Sequence, residues 1–145
     1  MGTFDSRGDD RRAAVLALGL ALASCGSPQS RAAQALEKAG SWAATVELAG
    51  ASWSANAVPT AFTRNTLRTA QRALERERRT LESAAEELPA GALDQGRQTV
   101  DAVSTLMTTV SSAFERGDRA GVARDAQRLH APAASLRALA AALQK

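Results

Sequence analysis

Apolar residues recur at alternating steps of three and four along most of the chain, and this spacing is the strongest constraint on its fold. Steps of three and four keep side chains on one face of an α-helix. The apolar stripes consist mainly of Leu, Val and Ala, and they cover residues 35–53, 67–88, 93–114 and 122–143. This pattern predicts an all-α protein with four amphipathic helices, each of which buries one face in a shared core.

Prolines and glycines separate the stripes. Pro59 suits the first turn of the second helix, and Pro89 ends that helix. Gly117 is typical of a residue that terminates a helix, and Asp118 is typical of the N-cap that begins the next one. Each stripe is limited to about three or four heptads, which favours an antiparallel up-down four-helix bundle within one chain. The alternative is a long parallel coiled coil, which the leucines at residues 67, 74, 81 and 88 would also satisfy.

Two positions interrupt the helical pattern. Gly40 and Ser41 predict a break in the first helix, with Ser41 as a candidate cap. Pro132 lies inside the fourth stripe, where a proline lacks the N–H of a helical hydrogen bond and its ring clashes with the preceding turn. We therefore expect a kink between Arg128 and Pro132.

The N-terminal segment has a different composition. Residues 13–23, which follow Arg11 and Arg12, carry no charge and no hydrogen-bonding side chain. As a helix this segment would be about 16 Å long, roughly half of the hydrocarbon thickness of a bilayer. It is too short for a permanent membrane span and is typical of the apolar core of a signal peptide. The two arginines also resemble a twin-arginine export signal, although the usual aromatic residue does not follow them.

The apolar segment ends in the run Leu22, Ala23, Ser24 and Cys25. This run resembles the lipobox of bacterial lipoproteins, in which a branched apolar residue and two small residues precede an obligatory cysteine. The resemblance implies that residues 1–24 are a signal peptide, that signal peptidase II cleaves between Ser24 and Cys25, and that the Cys25 thiol receives a diacylglyceryl group. Residues 25–30 would then form the lipidated cysteine and a short tether, and residues 31–145 the helical bundle domain.

A lipid on Cys25 predicts that the protein is anchored to a membrane of the cell envelope. One acyl chain binds a bilayer only marginally, whereas two or three hold a protein durably. Gly26 rather than Asp follows Cys25, which implies the periplasmic side of the outer membrane rather than the inner membrane in a Gram-negative cell. Cys25 is the only cysteine, so packing alone must stabilise the helices. The alternative is a buried structural cysteine in a cytosolic protein.

Charge and chemistry argue against several function classes. The chain has 18 Lys and Arg residues against 15 Asp and Glu, a net charge of +3. This excess is too small for a general nucleic-acid binder, and we expect no nucleic-acid partner. His130 is the only histidine; no carboxylate or histidine three or four residues away could share a metal with it, so we expect a boundary or solvent position. We predict no enzyme activity, no metal and no cofactor, because no phosphate loop or catalytic set stands out.

Arginines form the most distinctive surface pattern. On a helix, steps of four rotate by only about 40°, so such residues share one side. The arginines on this side of the second helix are Arg64, Arg68, Arg72, Arg76 and Arg79, with Arg78 beside them. An anionic partner such as a lipid head group, a lipopolysaccharide phosphate or an acidic protein would relieve their mutual repulsion. The alternative is a solvated surface neutralised by Glu75, Glu77 and Glu82, with Glu75 paired to Arg72 and Arg79.

Three functional hypotheses follow. The first is a lipid-anchored, non-catalytic interaction or structural module that serves a protein partner in the envelope. The second is a binder of anionic lipid or lipopolysaccharide through the arginines of the second helix. The third is a small-ligand binder with a cavity near Pro132, Trp42 and Trp53, although both tryptophans also suit the core.

Overall fold

The computed structural model describes residues 26–145, and all regular secondary structure in this part of the chain is α-helix. The helices are α1 (Pro28–Ser54), α2 (Thr60–Glu87), α3 (Asp94–Glu115), α4 (Arg119–Gln127) and α5 (His130–Leu143). Together they form a helical bundle in which α4 and α5 share the place of the fourth helix. The all-α fold predicted from the spacing of apolar residues is confirmed.

The predictions for the N-terminal segment lie outside the described residues. They concern the signal peptide over residues 1–24, cleavage between Ser24 and Cys25, and lipid on Cys25. Within residues 26–145, no helix is both long enough and apolar enough to cross a bilayer.

The first helix begins earlier than expected. Ser27 is its N-cap, and the Ser27 hydroxyl accepts a hydrogen bond of 3.1 Å from the backbone N–H of Ser30. Pro28 occupies the first position of α1. A backbone N–H at this position has no hydrogen-bond partner within the helix, so a proline costs no hydrogen bond here. Residues 28–30, the second half of the segment that the sequence predicted as a tether, therefore belong to α1.

Contacts between helix ends define two ends of the bundle. Gln29 Nε2 donates a hydrogen bond of 2.8 Å to the carbonyl oxygen of Leu143, and Arg31 forms an ion pair with Glu87. The start of α1 therefore lies beside the ends of α2 and α5. We call this the proximal end, because the described chain enters the bundle here at Gly26.

The opposite end of the bundle, the distal end, is held by a second set of contacts. Trp53 Nε1 donates a hydrogen bond of 3.1 Å to Oγ1 of Thr60, which joins the end of α1 to the start of α2. The Ser54 hydroxyl donates a hydrogen bond of 3.0 Å to the carbonyl oxygen of Arg119, which joins the end of α1 to the start of α4.

The core is built from the predicted apolar stripes. Leu67, Leu74 and Leu81 of α2 are all buried, so the leucine repeat serves the core of a single chain. Burial of a side chain of this size contributes about 1.5–3 kcal/mol. The largest fully buried apolar side chains are Leu36, Val46, Leu81, Val100, Val103, Met107, Val110, Val122, Leu129 and Leu136.

The predicted break at Gly40 and Ser41 is wrong, because α1 continues through both residues. A Cβ atom placed on Gly40 would lie 3.0 Å from the carbonyl oxygen of Ala133. Gly40 therefore permits close packing of α1 against α5, and this packing offsets its low helix propensity. The Ser41 hydroxyl does not cap a helix; it donates a hydrogen bond of 3.0 Å to the carbonyl oxygen of Glu37 in the same helix.

The break in the fourth helix is confirmed. Arg128 and Leu129 separate α4 from α5, and Pro132 lies in the first turn of α5. The cap before α4 is also as predicted, because the Asp118 carboxylate accepts a hydrogen bond of 2.8 Å from the backbone N–H of Gly121. Gly117 precedes this cap with a positive φ of 69°, a conformation that suits glycine.

We predict that Gly50→Ala destabilises the bundle. A Cβ atom at Gly50 would lie 2.7 Å from Cβ of Ala126, an atom that no side-chain rotation can move away. Overpacking costs about 1–3 kcal/mol and the better helix propensity of Ala returns up to about 1 kcal/mol, so unfolding free energy should fall by about 1–2 kcal/mol. Urea denaturation followed by circular dichroism measures it.

Gly96→Ala is the matched control. The atom nearest to a Cβ at Gly96 is Cδ2 of Leu36, at 2.9 Å, and it lies at the far end of a flexible side chain. This variant should lose less stability than Gly50→Ala. A Gly50→Ala protein that is more stable than the wild type would contradict the close packing.

Candidate functional site

The candidate site is the Arg face, which we define as the side of α2 that carries Arg64, Arg68, Arg72, Arg76 and Arg79. All of these residues are exposed. The buried residues Leu67, Leu74 and Leu81 lie on the opposite side of the same helix. Arg79 lies fifteen positions after Arg64, so the Arg face extends over about 22 Å.

The two outer arginines of the face have protein partners. Arg64 Nε lies 4.0 Å from Oε1 of Glu115, and its Cζ lies 5.8 Å from the centre of the Phe114 ring. These contacts join the start of α2 to the end of α3. Arg79 Nε donates a hydrogen bond of 3.1 Å to Oε1 of Glu75.

The three central arginines have no acidic partner within residues 26–145. No carboxylate oxygen of these residues lies within 4.0 Å of the guanidinium nitrogens of Arg68, Arg72 or Arg76. The side chains follow one another at i,i+4 spacing, and each like-charge pair of this kind costs a helix about 0.2–0.5 kcal/mol. Helix stability therefore does not account for the pattern.

The carboxylates expected to neutralise the Arg face pair with Arg78 or are buried. Glu75 pairs with Arg78 and Arg79, at 3.0 and 3.1 Å, so the expected pair between Glu75 and Arg72 is wrong. Glu82 pairs with Arg78 at 3.3 Å. Glu77 is buried among the core-facing residues of α2. Arg79 is therefore the only arginine of the Arg face that forms an ion pair with one of these three carboxylates.

The ion pairs beside the Arg face shift the titration of their members. Hydrogen bonds from Arg78 and then Arg79 hold the pKa of Glu75 below its ordinary value of 4.5. The hydrogen bond to Glu75 raises the pKa of Arg78. Both effects favour the charged forms, so Glu75 is a carboxylate and Arg78 a cation at neutral pH.

The surface along the Arg face suits an extended anionic partner. Arg72, Arg76 and Arg79 border an open depression of about 470 Å³, together with Gln71 and Glu75. Guanidinium groups bind carboxylates and phosphates with two parallel hydrogen bonds. The depression lies on the outside of one helix, so it offers charge and hydrogen-bond donors without enclosing a ligand.

The other residues considered in the sequence lie apart from the Arg face. His130 is exposed as expected, and its Nδ1 lies 3.2 Å from Oε1 of Glu47, which links α1 to the start of α5. Trp53 is buried against Phe114, with ring centres 4.7 Å apart. Trp42 is only half-buried and lies eleven residues earlier, about 16 Å away along α1. The two tryptophans therefore do not face each other across one cavity.

No metal site is evident in the part of the chain that the structure describes, since residues 26–145 contain no group of three or more His, Cys, Asp or Glu side chains arranged to bind an ion.

Two features were not predicted. The Arg119 guanidinium lies over the Trp53 ring, with Cζ 4.4 Å from its centre, and nothing in the local sequence indicates this contact. An apolar pocket of about 260 Å³ also lies at the proximal end, between α1, α3 and α5. No local sequence signal indicates this pocket, because residues that are distant in sequence line it.

Comparison with protein-family models, curated proteins and solved structures finds no match for this chain. The proposals below therefore depend on the N-terminal motif and on the geometry of residues 26–145.

We predict that the pKa of Glu75 rises when its partners are removed. In the variant Arg78→Gln/Arg79→Gln the carboxylate loses both hydrogen bonds, so its pKa should return toward 4.5. Because the folded-state pKa of Glu75 is depressed, its pairs stabilise the fold above the unfolded-state pKa, and this contribution disappears as the pH falls through the folded-state value. Carboxyl-detected NMR titration measures both proteins.

Arg72→Gln is the control for this titration. Arg72 makes no ion pair with Glu75 in the described residues, so its removal should move the pKa of Glu75 much less. An equal shift in both variants would indicate a general effect of net charge.

Proposed function

We propose that the protein is a lipid-anchored component of the bacterial cell envelope, where it presents its helical bundle to a protein partner as a non-catalytic interaction or structural module. In this proposal residues 1–24 are removed as a signal peptide and Cys25 carries the lipid. The support is the lipobox-like run Leu22, Ala23, Ser24 and Cys25, which helix α1 follows after two residues.

The observation that carries the proposal is the short distance between the motif and the bundle. Only Gly26 and Ser27 separate Cys25 from the first residue of α1. Three chain steps span at most about 11 Å. A lipid on Cys25 would therefore hold the proximal end of the bundle at the membrane surface.

The helix-end contacts support an up-down-up-down order of the helices in this anchored bundle. The start of α1 lies beside the ends of α2 and α5, and the end of α1 lies beside the starts of α2 and α4. In an upright bundle the loop before α3 and the C-terminus would share the membrane side with the tether. Helix α1, which has 27 residues, would rise about 40 Å from there.

In a Gram-negative cell we place the protein on the periplasmic side of the outer membrane. The support is Gly26, which stands directly after Cys25 where Asp would favour retention in the inner membrane.

A second candidate function is the binding of anionic lipid or lipopolysaccharide through the Arg face. The observation that favours it is the lack of acidic partners for Arg68, Arg72 and Arg76 among the described residues. Measured along α2 from Glu87, the Arg face extends from about 12 Å at Arg79 to about 35 Å at Arg64. Head groups of the anchoring membrane could contact the whole Arg face only if the bundle lay on its side, with α2 against the membrane.

We predict that Cys25→Ala abolishes acylation and membrane retention. The wild-type protein from its bacterial host should have the mass of residues 25–145 plus two or three acyl chains and should sediment with membranes. The variant has no thiol to modify, so it should lack acyl chains and remain uncleaved. Intact mass spectrometry of fractionated cells measures both properties.

Ser27→Ala is the matched control for lipidation. It changes the N-cap of α1 and leaves the run from Leu22 to Cys25 intact, so acylation should persist. A wild-type protein that retains residues upstream of Cys25 and a free thiol would contradict the anchor.

We predict that Arg68→Gln/Arg72→Gln/Arg76→Gln weakens binding of residues 26–145 to vesicles that contain phosphatidylglycerol. Each arginine near an anionic surface contributes about 1 kcal/mol, so the apparent affinity should fall on the order of 100-fold at low salt. Cosedimentation at several salt concentrations measures the loss, which should shrink as salt screens the wild type.

Arg97→Gln/Arg116→Gln/Arg137→Gln is the control, because it removes the same charge from exposed positions on α3, the loop after it and α5. It should lower the affinity by less than tenfold. Equal losses in the two triple variants would mean that net charge, not the Arg face, determines binding.

A further inference from the structure

The apolar pocket at the proximal end, which we call the proximal pocket, has a buried floor and an exposed rim. Leu36 of α1, Leu93 before α3 and Gly96 of α3 are buried and form its floor. Ala92 and Ala142 lie on its exposed rim. The pocket therefore reaches from the surface into the end of the core.

The lining of the proximal pocket suits a hydrocarbon ligand. Leu139 and Leu143 of α5 add two half-buried apolar walls. Among the described residues that line it, Gln95 alone carries a polar side chain. The volume is about 260 Å³, and an apolar cavity of roughly 150 Å³ already accommodates benzene. An unbranched alkyl chain therefore has room in this space and could contact the leucine and alanine side chains that line it.

Two glycines line the proximal pocket. Gly96 allows Leu36 to pack closely against α3, because a Cβ atom at Gly96 would lie 2.9 Å from Cδ2 of Leu36. Gly91 has a positive φ of 83°, a conformation that suits glycine, in the loop before α3. The pocket thus lies at the end of the bundle where α1 begins.

The proximal pocket lies within reach of Cys25. Gln29 Nε2 donates its hydrogen bond of 2.8 Å to the carbonyl oxygen of Leu143, and Leu143 is a wall of the pocket. Cys25 precedes Gln29 by four residues, which span at most about 14 Å. The connecting chain is therefore short enough for an acyl chain on Cys25 to reach the pocket opening.

We propose that the proximal pocket binds one fatty acyl chain of the lipid on Cys25. This inference rests on the lipidation proposed above. A chain in the pocket leaves the bilayer, so the remaining chains alone hold the protein in the membrane. The proximal end is then both the attachment point and a receptor for part of its own anchor.

The test uses the full-length protein in cells fed a long-chain fatty acid that carries a photoreactive diazirine. After illumination, mass spectrometry identifies peptides joined to the acyl chain on Cys25. We expect crosslinks from the Cys25 peptide to pocket segments that contain Leu36, Leu139 or Leu143. Ala142→Trp should fill the pocket from its rim and reduce these crosslinks at least tenfold.

Ala141→Trp is the matched control, because Ala141 is exposed in the same turn of α5 and does not line the pocket. It should leave the crosslinks within twofold of the wild type, and circular dichroism should show equal helix content in both variants.

The possible failures have different signatures. Labelled Cys25 without crosslinks to the pocket would overturn this inference and leave the anchor intact. Cys25 without any label would overturn the anchor and, with it, the inference. Crosslinks from the pocket to labelled lipids that are not attached to Cys25 would overturn the assignment of the ligand to the protein's own anchor.

Discussion

Glycine and alanine bring the backbone of α1 into contact with α4 and α5, and the arrangement of the other helices depends on this approach. Gly40 lies against the backbone of Ala133, and Gly50 lies against Ala126. Each glycine lowers the intrinsic stability of α1, yet only a residue without a side chain permits these contacts. The helix is therefore stabilised by packing rather than by its own propensity, and α1 occupies the centre of the contact network.

The central position of α1 explains why the Arg face lies on α2. Helix α1 contributes buried residues on much of its circumference, whereas α2 buries one seam that includes Leu67, Leu74 and Leu81. The rest of α2 is free to carry charge. Three arginines without acidic partners among the described residues lie on the side of α2 away from that seam, and their mutual repulsion opposes helix formation. Helix stability alone therefore does not explain this surface.

The sequence was sufficient to predict the features that depend on local chemistry. The stripes, the Asp118 cap and the break before Pro132 follow from side-chain spacing, capping and the missing N–H of proline. Gly40 was misinterpreted because helix propensity is a local property, whereas the reason for Gly40 lies on α5. The partners of Glu75 were also only partly predicted, because several arginines compete for one carboxylate. The proximal pocket could not be predicted, since three helices that are distant in sequence form it.

The position of the proximal pocket constrains how the Arg face could be used. An acyl chain on Cys25 can enter the pocket only if the proximal end stays at the bilayer surface, because the connecting chain is short. An upright bundle then carries most of the Arg face beyond about 10 Å from the membrane, one Debye length at moderate salt, so the head groups of that membrane attract it weakly. In this orientation Arg68, Arg72 and Arg76 face sideways. Binding of the Arg face to the lipid of the same membrane therefore requires a bundle that lies with α2 against the membrane, not an upright one.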